Sequence, residues 1–176
     1  MTKKKFKKIL NIILIILLCE VCATLAFEFK KSNETVLSSF SLKDYKNTDE
    51  ASVLFWNWLL KQTKLTPQTA ALHNIYQTGS VAKFVDLNKD NSREIIGTHY
   101  SSAITGGGDC HLYILRYEKS NPKKYKKISN DIHFDTQSPI NILQEETNGY
   151  HKITVYSKKE NKTKIYSYNK RKDLYE

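Results

Sequence analysis

The chain has 176 residues, enough for one folded domain and an address segment but not for two independent cores. Hydrophobic residues make up 40% and charged residues 26%, and only three prolines and six glycines occur, which excludes disordered, collagen-like and linker-rich proteins. The formal charge is +10; Lys3, Lys4, Lys5, Lys7 and Lys8 supply part of it, and the rest is spread along the chain without the grouped basic stripe of a nucleic-acid reader.

Residues 1–8 form a basic head. Residues 9–18 are Ile and Leu interrupted only by Asn11, and small residues follow at Thr24 and Ala26. This three-part layout predicts a secretory signal with cleavage after Ala26. The alternative is an uncleaved anchor over residues 9–27, barely long enough to span a bilayer and carrying Glu20 near one end. Both readings leave the lysines inside and the domain outside, so the protein is expected to be periplasmic, cell-surface or secreted, or else single-pass anchored with the domain outside. Cys19 and Cys22 lack the preceding small residue that lipidation requires. With residues 1–26 removed, Cys110 is the last cysteine and is expected to pack as a small buried apolar side chain.

Residues 27–47 are polar and aperiodic, an irregular lead-in to a single domain over 48–176. Thr48 can cap a helix, Asp49 and Glu50 suit its positive end, and the apolar residues from Ala51 onward give it a wide face. Leu54 with Trp58 and Phe55 with Leu59 stand four apart, so this face needs a sheet as cover. Thr66-Pro67 starts a second, short helix reaching about Ile75. Strands are then predicted near 80–85, 94–100, 110–117, 125–128, 140–144, 152–157 and 164–168. Their short links imply antiparallel pairing. The fold class is therefore α+β: an N-terminal signal or anchor helix, then one or two helices packed on an antiparallel β-meander.

One loop carries chemical character. Asp86, Asn88, Asp90, Ser92 and Glu94 place oxygen-bearing residues at every second position. Alternate side chains in a tight loop can converge on one hard cation such as calcium. The other reading is a polar hairpin turn whose Asp and Asn side chains bond their own backbone. Asn91 stands where many such loops carry Gly, at a position calling for positive φ. Glu94 is the ninth residue of the run, not the twelfth, so the loop is not an EF-hand.

The run Phe84-Val85-Asp86-Leu87-Asn88-Lys89-Asp90 with Glu94-Ile95-Ile96 resembles the FG-GAP or VCBS repeat signature of extracellular bacterial and integrin-type proteins. The resemblance implies calcium held between two strands by Asp86, Asn88, Asp90 and Glu94 with the Ser92 carbonyl. That family builds a propeller from several copies; a single copy is visible here. With Gly107-Gly108-Asp109-Cys110 and Tyr166-Ser167-Tyr168-Asn169, residues 80–176 are similar to small exported bacterial domains that join one such loop to a β-meander.

No catalytic constellation is present in the sequence. The histidines have no helical metal spacing, Cys110 and His111 point to opposite faces of a strand, and Glu145 and Glu146 read as solvated. The glycine-rich stretch 105–109 lacks a phosphate-loop ending and is a second candidate binding loop. The function expected from these features is a non-enzymatic binding or structural module of the cell envelope, calcium-stabilised, with an unidentified protein or envelope partner. The alternative is an inhibitor or immunity protein against an envelope-targeting enzyme. Nucleic acid is not an expected partner, and the membrane is one only through residues 9–27.

Overall fold

The alternation of apolar residues along 80–99 builds a sheet with two apolar faces, and both are covered. The computed structural model describes residues 35–100, 110–118 and 125–176. The expected signal or anchor and the glycine-rich loop at 105–109 lie outside the described residues.

Val36–Phe40, inside the expected lead-in, forms β1. Its partner, a distant strand, supplies the hydrogen bonds that local sequence cannot announce. A 3-10 turn at Leu42–Asp44 buries Leu42 completely. Helix α1 spans Glu50–Thr63 and helix α2 spans Pro67–Leu72. Asp49, not Thr48, is the N-cap of α1, and its carboxylate accepts the Lys46 N–H at 2.9 Å instead of capping the helix. Thr66 caps α2 as its sequence predicts, through reciprocal bonds with Thr69.

The remaining strands are β2 (Ser80–Val85), β3 (Glu94–His99), β4 (Cys110–Tyr117), β5 (Tyr125–Lys127), β6 (Ile132–Phe134), β7 (Ile140–Thr147), β8 (Tyr150–Ser157), β9 (Lys162–Tyr166), β10 (Tyr168–Asn169) and β11 (Leu174–Tyr175). They do not form one meander. One sheet runs β2-β3-β4-β5, with β6 also on β4; the other runs β1-β7-β8-β9; β10 and β11 make a separate ribbon. Every strand pair is antiparallel. The fold is β-rich α+β.

The period-2 rule assigns each strand's faces. Ile96, Leu112 and Ile114 of the first sheet share one core with Ile140, Ile142, Ile153 and Val155 of the second. Ala82, Ile95 and Leu115, on the opposite face of the first sheet, pack under Phe55, Trp58 and Leu59 of α1. Each fully buried Ile or Leu contributes about 1.5–3 kcal/mol of transfer free energy, so the two cores together hold the three layers. Gly97 makes the helix contact possible, since a Cβ there would stand 2.8 Å from the Ala82 Cβ and 3.0 Å from the Phe55 ring.

Candidate cation site

The hairpin joining β2 and β3 is pinned at its base by Leu87, whose side chain is fully buried in the core between the sheets. The Leu87 carbonyl accepts the His151 N–H of β8 at 2.8 Å, so the loop is tied to both sheets. Farther out, the Asn88 side-chain oxygen accepts the Asp90 N–H at 3.1 Å, and the Asp90 carboxylate accepts the Ser92 N–H at 2.7 Å. These two successive side-chain turns are the backbone-bonding pattern of the hairpin reading. Asn91 has φ 61°, as its place in the loop predicts, and Lys89 is a second left-handed residue at φ 58°. The Lys89 ammonium pairs with Glu146.

Glu94 sits at the foot of the loop, opposite Val85 in the ladder and fully buried. One carboxylate oxygen accepts the Leu87 N–H at 2.8 Å; the other has no hydrogen-bond partner among the described residues. The Asp86 Oδ1 is buried and unpartnered in the same sense. Burial drives the Glu94 pKa up to about 7; the backbone N–H bonds oppose that rise, and the charges of Asp90 and Asp86 add to it. Thus two of the expected ligands, Asp90 and Asp86, act electrostatically on a third, Glu94. Ser92 enters the network through its N–H.

The donors are all oxygen, which fits a hard cation such as calcium rather than a thiolate- or imidazole-seeking metal. The described residues contain no group of three or more His, Cys, Asp or Glu already gathered around one point. Asn88 and Asp90 spend side-chain oxygens on the loop's own backbone, which leaves Asp86 and Glu94 with the unsatisfied acceptors.

Beside the loop is an open cavity of about 410 Å³, lined by Asn88, Asp90, Ser92, Arg116 and Tyr150 among others. Arg116 was not marked by the sequence. Its guanidinium forks onto Asp173 at 2.8 and 3.0 Å and reaches the hydroxyls of Tyr168 at 3.1 Å and Tyr150 at 3.4 Å. The Asn88 side-chain amide donates to that same Tyr150 hydroxyl at 3.2 Å, linking loop and cluster. The Arg116 guanidinium holds the Asp173 carboxyl well below the usual carboxylate range. The one local signal was a charged residue in a strand directly after the apolar run 112–115; its partner lies 57 positions away.

The other sequence candidates are dispersed. Cys110 is buried between the sheets, while His99 lies on the helix side, stacked 6.0 Å from Trp56. Ser80 Oγ and His99 Nδ1 are 2.8 Å apart, the spacing of a nucleophile and its base, yet they are 0% and 1% exposed. Burial lowers the His99 pKa to about 4, so the pair is a neutral internal hydrogen bond. Glu145 and Glu146 form surface pairs with Lys152 and Lys89. No described helix is long and apolar enough to cross a membrane. Comparison with family models, curated proteins and solved structures found no match.

Proposed function

We propose that this protein is an exported, non-enzymatic binding or structural module of the cell envelope, stabilised by one calcium ion in the 86–94 hairpin. The observation that carries the calcium reading is the pair of unpartnered carboxylate oxygens, Asp86 Oδ1 and Glu94 Oε1, at the buried foot of the loop. A buried acceptor without a partner costs about 1–3 kcal/mol, more when charged, and a hard divalent cation offsets that cost. Asp90, Asn88 and the Ser92 carbonyl complete an oxygen set, with Asn88 and Asp90 turning from backbone to metal. The basic head, apolar run and small residues of 1–26 support export.

The test is a thermal melt of the full chain in excess calcium and again in EDTA. At a calcium concentration one hundred times the dissociation constant, linkage adds about 2.7 kcal/mol. For a domain of this size that raises Tm by about 5–10 °C, and Asp90→Ala is expected to abolish most of the rise. Equal melting temperatures with calcium and EDTA would reduce the loop to a turn. Export is read separately from the intact mass of the chain recovered from cells, which begins at Phe27 if the signal is cleaved.

A further inference from the structure

A second group of side chains lies apart from the hairpin, on the outer face of the first sheet. The β4–β6 register sets His111 directly across from His133. Residues opposed in this way on one face bring their Cβ atoms to about 4.5–5.5 Å. The two imidazole rings are 4.3 Å apart, centre to centre, and inclined at 50°. Their neighbours Cys110, Leu112, Ile132 and Phe134 point the other way into the core, which fixes both rings on the outer face.

Both histidines are half-buried, and neither ring nitrogen has a hydrogen bond to a described residue. Desolvation and the neighbouring His133 lower the His111 pKa; Asp131 acts against that and Lys127 with it. That direction favours the neutral ring, the form that ligates. Asp131 stands two residues before His133 on the same face, 73% exposed and 3.7 Å from the Lys127 ammonium.

We propose that His111 and His133 form a two-imidazole clamp for a divalent transition metal such as zinc or copper. The clamp binds through one nitrogen of each ring and leaves the remaining positions to water, to the exposed carboxylate of Asp131 or to a donor from a partner. Imidazole pairs select borderline metals over calcium, so this site and the oxygen-lined hairpin take different ions and neither depends on the other. Two protein ligands make an open site, and an open site suits metal capture or metal-bridged contact at the cell envelope better than a closed structural centre.

The experiment is a substoichiometric copper(II) titration of the full chain, followed through the histidine ring-proton NMR signals. The chain has five histidines. Paramagnetic broadening is expected at His111 and His133 first and together, unaffected by excess calcium. Zinc affinity measured by calorimetry is expected to fall at least tenfold in His111→Phe and in His133→Phe, with melting shown to be cooperative in both. Broadening that begins at His73, His99 or His151 overturns the proposal, as does unchanged zinc affinity in the folded double variant. Should the variants not fold, the order of broadening in the unaltered chain decides alone.

Discussion

The Glu94 carboxylate accepts the Leu87 N–H at 2.8 Å from a position with no solvent exposure. That bond closes the hairpin, and it also buries an acid whose pKa rises to about 7. Between its unfolded value near 4.5 and 7 the native state binds more protons than the unfolded one, so stability falls as pH rises through this window. In EDTA, chemical denaturation should give a protein less stable at pH 8 than at pH 5 by up to about 3 kcal/mol from this group. Glu94→Gln should remove that slope. A constant difference between the two proteins across pH 5–8 would show that Glu94 ionises normally.

Gly97→Ala tests the seam between helix and sheet. The added methyl would meet the Ala82 Cβ at 2.8 Å and the Phe55 ring at 3.0 Å, and both are locked in the buried cluster beneath α1. Overpacking of this kind costs about 1–3 kcal/mol. A reduced denaturation midpoint with an unchanged slope is the expected result; an unaltered midpoint would mean that α1 can lift away from the sheet at no cost.

How much was legible follows from the range of each interaction. The amphipathic face of α1, the Thr66-Pro67 start and most of the strands were written in local pattern, because side-chain period and capping chemistry act within a few residues. The hairpin's left-handed Asn91 was legible for the same reason. The split into two sheets was not: β1 gains its place by pairing Phe40 with Ile140, and β6 by pairing Ile132 with Leu112. Strands of three residues such as β6, or two such as β11, carry too little periodicity to be read. The site shows the same division. The loop's oxygens were visible in sequence, but the Arg116–Asp173 pair and the His111–His133 contact depend on register between distant strands. The close ring contact of His111 is with His133, a partner 22 positions away that only the β4–β6 register brings near.

Asp173 ties the chain's end to β4 and β5. It receives Arg116 in a fork, Lys126 at 2.5 Å and the Tyr168 hydroxyl. Its backbone is left-handed, φ 54°, a conformation that Asn tolerates as well as Asp, so Asp173→Asn isolates the charge. Because the site is partly open to water, the loss at pH 7 should be about 1–2 kcal/mol rather than the full value of a buried pair. A carboxyl held below its ordinary value contributes stability that is complete above about pH 4 and lost on further acidification. The gap between the two proteins in urea denaturation should therefore narrow below pH 4, and a gap independent of pH would assign the effect to shape instead of charge.

Tyr175 shows why the C-terminal strand matters despite its length. The side chain is fully buried, and its hydroxyl donates to the His151 carbonyl at 2.8 Å. Its N–H donates to the Ile128 carbonyl at 2.7 Å, and its own carbonyl accepts the Asn130 N–H at 3.0 Å. The ring meets Tyr150 edge-on at 6.1 Å and Tyr168 at 5.7 Å. One residue thus joins the first sheet, through Ile128, to the second, through His151, the same residue whose N–H holds the Leu87 carbonyl of the hairpin. Tyr175→Phe keeps the ring and orphans one acceptor, a loss of about 1 kcal/mol; Tyr175→Ala empties the space between the sheets and should cost about 3–5 kcal/mol. If both variants unfold at the same denaturant concentration, the hydrogen bond and not the packing closes the sandwich, and β11 acts as a clasp that the cores do not need.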